Sequence, residues 1–343
     1  MFGPRLLPRT VSACLRDLKS AKLEVRLSAV RDLGRHATGP AQEEARAALC
    51  RTLSHDAAVA VRAEAAVILA DVGASEHLDE LCDALEDPAL RVRQMALVAV
   101  GELGKASDER VQHATRLLLS DLAPEMRFQA LIAARNVLSE SDFAAGLARA
   151  HDDEDPEVRY IALRLAEEAW TESTPPPRSL LAAARKAAKD DAAMVRLVAA
   201  VVLVRAGEAS GTQLLASLLN GAAAGLSADD EAEALALAGK HRIRAALPGL
   251  RRRAFGGWFG SSPLSWHARV ALARMGDARA RRSIVNGLSA WTRDGRTLAV
   301  VAAGEARIVE ARPKLEALAR EPGGADPDAI ARALELLSEN VEA

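Results

Sequence analysis

The chain has 343 residues and a formal net charge of −2, and half of its residues are hydrophobic although only 3% are aromatic. Such small apolar side chains suit closely stacked helices better than a large irregular core. No segment alternates apolar and polar residues between regularly spaced turns, so a protein built from strands is excluded and an all-α fold is predicted.

Residues 85–104 show the sequence pattern of one predicted helix most clearly: LEDPALRVRQMALVAVGELG. Asp87 is predicted to cap a helix, Pro88 to lie in its first turn, and Gly104 to end it in a left-handed conformation. Between them an apolar stripe recurs at steps of three and four residues. Its members are Val92, Ala96, Ala99, Val100 and Leu103.

The same stretch recurs along the whole chain. The apolar–Arg pair at Val92-Arg93 has counterparts that end in Arg26, Arg62, Arg127, Arg159 and Arg196, and weaker ones that end in Glu233, Arg269, Arg296 and Arg332. An Asp stands six residues before six of these arginines, at Asp56, Asp87, Asp121, Asp153, Asp190 and Asp326. The spacings run from 27 to 37 residues, which is typical of a two-helix repeat.

A fainter first helix is predicted in each repeat. Candidates are 42–53, 76–85, 109–120, 178–189, 212–220 and 278–290, with Pro248 and Pro313 in the first turns of two more and a closing helix at 327–337. The prolines at 175–177 must interrupt helix. We therefore expect repeats at 1–173 and 178–343, joined by a proline-rich turn at 174–177 within one continuous array.

The Asp-x4-Val-Arg pattern and the closing Leu-Gly resemble HEAT repeats, close to the PBS-lyase HEAT-like type within the armadillo-like superfamily. The resemblance covers nearly the whole chain and implies a right-handed α-solenoid of about ten two-helix repeats. It also implies a hydrogen-bonded ladder of Asp and Arg between neighbouring repeats. That role falls on Asp56 and Arg62, Asp87 and Arg93, Asp121 and Arg127, Asp153 and Arg159, and Asp190 and Arg196. Because Glu233 reverses the charge and Pro263 and Ala290 replace the Asp, we expect a weaker ladder after about residue 230.

The cysteines occupy one repeated position, at Cys14, Cys50 and Cys82. Neighbouring copies should lie roughly 8–10 Å apart, which is too far for a disulfide and wrong for a single metal ion. They are predicted to be small buried side chains.

The amino terminus, MFGPRLLPRT, lacks the apolar run of a signal peptide, so we expect a reducing, cytoplasmic location. The longest uncharged run, 209–228, is too polar to span a membrane.

Catalytic patterns are missing from the sequence. No His is followed by Glu, unlike the His-Glu pairs of deoxyhypusine hydroxylase, a di-iron HEAT enzyme. There is no nucleophile elbow or phosphate loop. The acidic turn at 152–155 is interpreted as a capped, solvated helix start. We therefore predict a non-enzymatic protein with no catalytic residue, cofactor or metal.

The charge is unevenly distributed. Residues 240–320 contain 17 basic and 5 acidic side chains, a local charge of +12, so the remainder carries −14. Within this region the stretch 251–266 departs from the repeat. It holds Arg251, Arg252, Arg253, Phe255, Trp258, Phe259 and Trp266. These aromatics either close a local core or form an exposed binding turn, since aromatic residues and Arg are enriched at interfaces.

Three functions remain open. The leading hypothesis is a scaffold that binds a protein partner along the solenoid, with an acidic surface favoured for 240–320. The first alternative is nucleic-acid binding through the same basic region. The second is a bilin-lyase-like subunit, because PBS-lyase-type repeats also occur in enzymes that attach tetrapyrroles to phycobiliproteins; many unrelated proteins share this repeat.

Overall fold

The computed structural model describes residues 9–171, 173–222, 225–256, 263–321 and 323–338, and every regular element in these ranges is helical. The α-helices are α1 Val11–Asp17, α2 Leu23–His36, α3 Gln42–His55, α4 Val59–Asp71, α5 Leu78–Asp83, α6 Leu90–Leu103, α7 Glu109–Leu118, α8 Pro124–Val137, α9 Glu140–Ala150, α10 Pro156–Glu168, α11 Arg178–Ala187, α12 Ala193–Arg205, α13 Ala209–Ser217, α14 Ala228–Lys240, α15 Leu247–Phe255, α16 Pro263–Arg274, α17 Ala278–Gly287, α18 Arg293–Glu305, α19 Arg312–Arg320 and α20 Pro327–Ser338. None of them is long and apolar enough to span a bilayer.

The twenty helices form ten successive pairs. An odd-numbered first helix packs on the even-numbered second helix that follows it in nine of these pairs, from α1–α2 to α7–α8 and from α11–α12 to α19–α20. The second helices also pack on one another from repeat to repeat, as in α4–α6–α8 and α14–α16–α18–α20. This stacking of like units is the α-solenoid architecture that the repeat period predicts.

The chain divides into two compact units, Met1–Leu165 and Ala166–Ala343. One core lies in the first unit, between Cys14 and Leu138, and another lies in the second, between Leu197 and Leu337. The division falls within α10, whereas the sequence predicts it at the prolines 174–177. A bend between the two halves at this proline-rich turn remains a prediction.

Four of the first helices begin at the residue that the sequence predicts. Gln42, Glu109, Arg178 and Ala278 each begin a helix, and Pro248 and Pro313 lie in first turns. Helix α13 begins earlier than predicted, at Ala209, and continues into a π-turn at Leu218–Ala222. Helix α5 is short because 3-10 turns at Ser75–His77 and Ala84–Glu86 replace its ends.

The prediction for 85–104 was wrong at both ends of the helix. Helix α6 begins at Leu90, and the Asp87 carboxylate instead accepts the backbone N–H of Ala89 at 2.8 Å, so Asp87 and Pro88 form the preceding turn. Gly104 is extended, with φ −68° and ψ 152°, and not left-handed. The turn before the helix is what Asp87 stabilises.

Left-handed helix ends occur in other repeats, and two of them use arginine. Gly73 has φ +64°, and its N–H bonds back to Ala70. The same turn follows α14, where Arg242 has φ +50° and donates to the Gly239 carbonyl, and Arg307 after α18 has φ +51°. Gly239 lies inside α14, where a Cβ would stand 2.6 Å from the Cα of Ala271. It is there to let two second helices approach closely.

Candidate functional site

The repeated arginine makes the same contact in seven of the repeats. Arg62 Nη1 donates to the backbone carbonyl of Asp56, six residues earlier, at 2.8 Å. Equivalent bonds to the carbonyl six residues earlier are made by Arg26, Arg93, Arg127, Arg159, Arg196 and Arg296, at 2.5 to 3.0 Å. Each arginine thus ties a second helix to the turn that precedes it.

The other guanidinium nitrogens of several of these arginines donate to the next repeat. Arg62 Nε and Nη2 donate to the two carboxylate oxygens of Asp87 at 2.8 and 2.9 Å. Arg26 holds Asp56, and Arg127 holds Asp153, in the same bidentate manner. The hydrogen bond from Arg62 lowers the pKa of Asp87 despite its partial burial. Since Asp87 also accepts from Ala89, one carboxylate joins two repeats and orders a turn.

One step of this ladder is open. Arg93 donates to the carbonyls of Asp87 and Pro88, at 3.0 and 3.4 Å. The carboxylate of Asp121 accepts from the N–H of Ala123 at 2.8 Å. Within the described residues Arg93 and Asp121 do not meet, so the predicted pairing of this arginine with the next repeat is not formed there.

Different contacts replace the ladder after residue 230. The guanidinium of Arg296 bonds to the backbone carbonyls of Gly323, at 3.0 Å, and Gly324. Arg269 donates to the carbonyl of Ala254 at 3.2 Å. Both arginines therefore bond to backbone oxygens: Arg269 to one before it in the chain, and Arg296 to two that precede Asp326 in the next repeat.

The arginines of the predicted binding turn make intramolecular contacts. Arg251, which is exposed, pairs with Asp277 at 3.1 Å, and Arg252 donates to the carbonyl of Asn220 at 2.9 Å. Arg253 pairs with Glu231 and donates to the carbonyl of Leu219. Trp258 and Phe259 lie outside the described residues.

The two described aromatics of this stretch enclose an arginine. The guanidinium carbon of Arg269 lies 4.9 Å from the ring centre of Trp266 and 5.8 Å from that of Phe255. Arg279 lies 4.0 Å from the Phe255 ring. Both rings also pack against the core of the second unit, and burial lowers the pKa of Arg269. For Phe255 and Trp266 this geometry favours the local-core interpretation.

A groove runs along the second helices of the second unit. It encloses about 630 Å³ and crosses α14, α16, α18 and α20. Its apolar lining residues are Ala232, Ala236, Val301, Ala329, Ala333 and Leu336. Its charged and polar lining residues are Glu233, His267, Arg274, Glu305, Arg307 and Arg332. Protein-binding surfaces commonly combine apolar residues with arginine.

Exposed apolar side chains extend this face. Val301 is 41% exposed and Leu298, three residues earlier on α18, is 47% exposed. The groove could not be predicted from the sequence pattern because its residues come from four repeats.

Trp291 was not predicted as an exposed residue either. It is 97% exposed in the turn before α18, at the same repeat position as the exposed Leu122. Its place five residues before Arg296 could have indicated an outward-facing side chain.

One group of described residues offers metal-ligating atoms. The ligand atoms of Cys50, His77 and Glu80 all lie within 4.8 Å of one another. Cys50 belongs to α3, whereas His77 and Glu80 belong to the first helix of the next repeat and its preceding turn. Sequence reasoning missed the group because it compared equivalent positions of the repeat, and these three residues are not equivalent.

Comparison with known proteins agrees with this architecture. Residues 46–135 match the family model for HEAT repeats. A search of curated proteins gave no significant match. Among solved structures, the chain is similar to an engineered protein, with 19% identity, coverage of 96% of this chain and 98% of that one, and a TM-score of 0.41. It is also similar to YibA of Escherichia coli, with 14% identity, coverage of 93% and 98%, and a TM-score of 0.42.

A third similar structure is the CpcE–CpcF complex of phycocyanin lyase from Nostoc sp. PCC7120, with 17% identity, coverage of 99% and 96%, and a TM-score of 0.34. Scores this low support no statement about function. The family assignment depends on the match at 46–135 and on the arginine contact that recurs in repeats before and after it. The chain therefore contains HEAT repeats at residues 46–135, and the same arginine contact recurs before and after them.

Proposed function

We propose that this protein is a non-enzymatic scaffold, and that it binds an acidic segment of a partner protein in the groove across α14, α16, α18 and α20. The observation that carries the proposal is one groove lined both by the apolar residues Val301, Ala333 and Leu336 and by the arginines Arg274, Arg307 and Arg332. A segment with one apolar face and acidic flanks matches both features. Amphipathic helices commonly dock into grooves of this kind.

The surrounding charge supports an acidic partner. The excess of +12 between residues 240 and 320 attracts acidic surfaces and raises the rate of encounter with them. In such an interface the apolar residues supply affinity, and the charges steer and orient the partner.

Nucleic-acid binding is the alternative that the same charge favours. Several basic side chains of this region, however, bond inside the molecule: Arg253 to Glu231, Arg269 to a carbonyl between two rings, and Arg296 to two carbonyls. Such arginines offer less to phosphates than the net charge suggests. In the groove, Arg274 likewise donates to the carbonyl of Glu305 and Arg332 pairs with Glu335, so there the apolar lining distinguishes the two alternatives. The bilin-lyase-like alternative has only the shared repeat pattern in its support.

The test compares two matched valines of the second unit. Val301 lies in the groove and is 41% exposed, whereas Val309 is 55% exposed and does not line it. Wild-type, Val301→Glu and Val309→Glu proteins are used to capture partners from extracts of the source cells. We expect one protein partner to be retained by wild type and Val309→Glu and lost by Val301→Glu. Loss with Val309→Glu alone, or capture of nucleic acid only, would overturn the proposal.

The turn at 251–266 is proposed as a second contact. Arg252 is the better residue to change there, because Arg251 and Arg253 each have a carboxylate partner within the molecule. Arg252→Glu is expected to weaken capture of the same partner without abolishing it. Unchanged capture would remove this turn from the interface.

A further inference from the structure

Three ligating side chains from two successive repeats converge in the first unit. The Nδ1 atom of His77 lies 3.2 Å from the Oε1 atom of Glu80, and the Sγ atom of Cys50 lies within 4.8 Å of both ligand atoms. His77 ends the 3-10 turn that precedes α5, and Glu80 lies three residues later in the first turn of α5, so the two side chains face the same side. Cys50 approaches from α3 of the preceding repeat.

Cys50 is more deeply buried than His77 and Glu80. Cys50 is 7% exposed, whereas the side chains of His77 and Glu80 are 21% and 40% exposed. A cation could therefore reach the group from solvent past Glu80 and contact a sulfur at its inner end.

The neighbouring cysteines supply an internal comparison. Cys82 occupies the same position of the following repeat and is equally 7% exposed. The charged groups around it are Arg110, Asp108, Asp79 and Asp83, with no imidazole among them. Within the described residues the Cys, His and carboxylate combination occurs at Cys50 alone. Repeat packing by itself therefore does not create the group.

We propose that Cys50, His77 and Glu80 bind a zinc ion that ties α3 to the first helix of the next repeat. Thiolate, imidazole and carboxylate are zinc ligands, at about 2.3, 2.0 and 2.0–2.2 Å, and three protein ligands leave a fourth position for water. The ligand atoms of such a site lie about 3.3–3.8 Å apart, so the 3.2 Å between His77 and Glu80 is close to that distance. Small side-chain rotations would bring Cys50 to the ion.

The charges of the site balance. Zinc displaces the thiol proton of Cys50 to solvent and forms one bond to sulfur, one to the imidazole nitrogen and one to the carboxylate. Thiolate and carboxylate together then neutralise the two positive charges of the ion. Glu76, which pairs with Arg46 at 2.5 Å, is a further carboxylate near Cys50 that favours a cation. The ion requires no change of oxidation state.

Cobalt(II) substitution tests the site without any assay of activity. The full-length protein, reduced and freed of metal by chelation, is titrated with Co²⁺ and its near-ultraviolet and visible absorption recorded. A thiolate-to-cobalt charge-transfer band that saturates at one equivalent, and that Zn²⁺ abolishes, is expected for wild type. No band, or a band without saturation, would overturn the proposal.

Variants assign the ligands. Cys50→Ala should remove the charge-transfer band, His77→Gln and Glu80→Gln should weaken zinc binding at least tenfold, and Cys82→Ala should change neither. Circular dichroism checks that each variant is folded. If Cys50→Ala does not fold, zinc binding by His77→Gln and Glu80→Gln still tests the proposal, because these two side chains are partly exposed. A band that survives in Cys50→Ala, or that Cys82→Ala removes, would show that the ion binds elsewhere.

Discussion

Arg62 holds both carboxylate oxygens of Asp87 in the next repeat, at 2.8 and 2.9 Å, and at the same time donates to the carbonyl of Asp56 in its own repeat. Both side chains are about 10% exposed. One guanidinium thus ties two turns and two successive helices together. Arg93 lacks such a carboxylate partner among the described residues, although it keeps the carbonyl contact.

This difference predicts unequal costs for the same substitution. Arg62→Ala leaves the nearly buried Asp87 without its ion-pair partner, and we expect it to lower the free energy of unfolding by about 2–4 kcal/mol. Arg93→Ala is the matched control and should cost about 1 kcal/mol, because it loses carbonyl hydrogen bonds only. Urea denaturation of both variants measures the difference. Equal costs would contradict the bridging role of Arg62.

The Arg62–Asp87 pair also predicts a dependence on pH. The pKa of Asp87 is held below its ordinary value of 3.8, chiefly by the hydrogen bond from Arg62. A carboxyl group with a lowered pKa in the folded state stabilises the protein fully above the unfolded pKa, and that contribution disappears as the pH falls through the folded pKa. The stability gap between wild type and Arg62→Ala should therefore be constant from pH 7 to about 5 and narrow below about 4. Urea midpoints at pH 7, 5, 4 and 3 check this, and a gap that widens in acid would contradict it.

The left-handed arginine after α14 predicts a stabilising substitution. Arg242 has φ +50°, a conformation that costs a residue with a Cβ roughly 1–2 kcal/mol and glycine almost nothing. After the extra entropy of an unfolded glycine is subtracted, we expect Arg242→Gly to stabilise the protein by about 0.5–1 kcal/mol. Thermal unfolding measures it. The control, Arg244→Gly, lies in the following 3-10 turn and should destabilise the protein; stabilisation by both would point to lost charge as the cause.

The close approach of α14 and α16 predicts the opposite effect for another glycine. A Cβ on Gly239 would stand 2.6 Å from the Cα of Ala271, so Gly239→Ala must push two second helices apart. Overpacking of this kind costs about 1–3 kcal/mol. Gly221→Ala is the control, because a Cβ there meets nothing within 4 Å. If Gly239→Ala unfolds no earlier than Gly221→Ala in urea, the helices are not in contact at this position.

The fold was largely predictable because each repeat restates the same local rules. Spacing alone placed Arg62 and Asp87 in adjacent repeats, and the period predicted the helix pairs. The ends of helices were less predictable: Asp87 stabilises a turn where a helix cap was expected, and arginine takes a left-handed position that usually selects glycine. The candidate sites were not predictable, since Val301 and Leu336 meet across repeats, as do Cys50 and His77. A pattern that compares equivalent positions cannot detect neighbours at different positions.

The central claim is that the partner lies in the groove at Val301. Replacing Val301 by a photo-crosslinking amino acid, in the otherwise unaltered chain and in the source cells, tests it directly. We predict a single crosslinked protein whose contact segment is acidic, with no such product when the same amino acid replaces Val309. A crosslink from Val309 but not from Val301, or a product that contains nucleic acid in place of protein, would contradict the account.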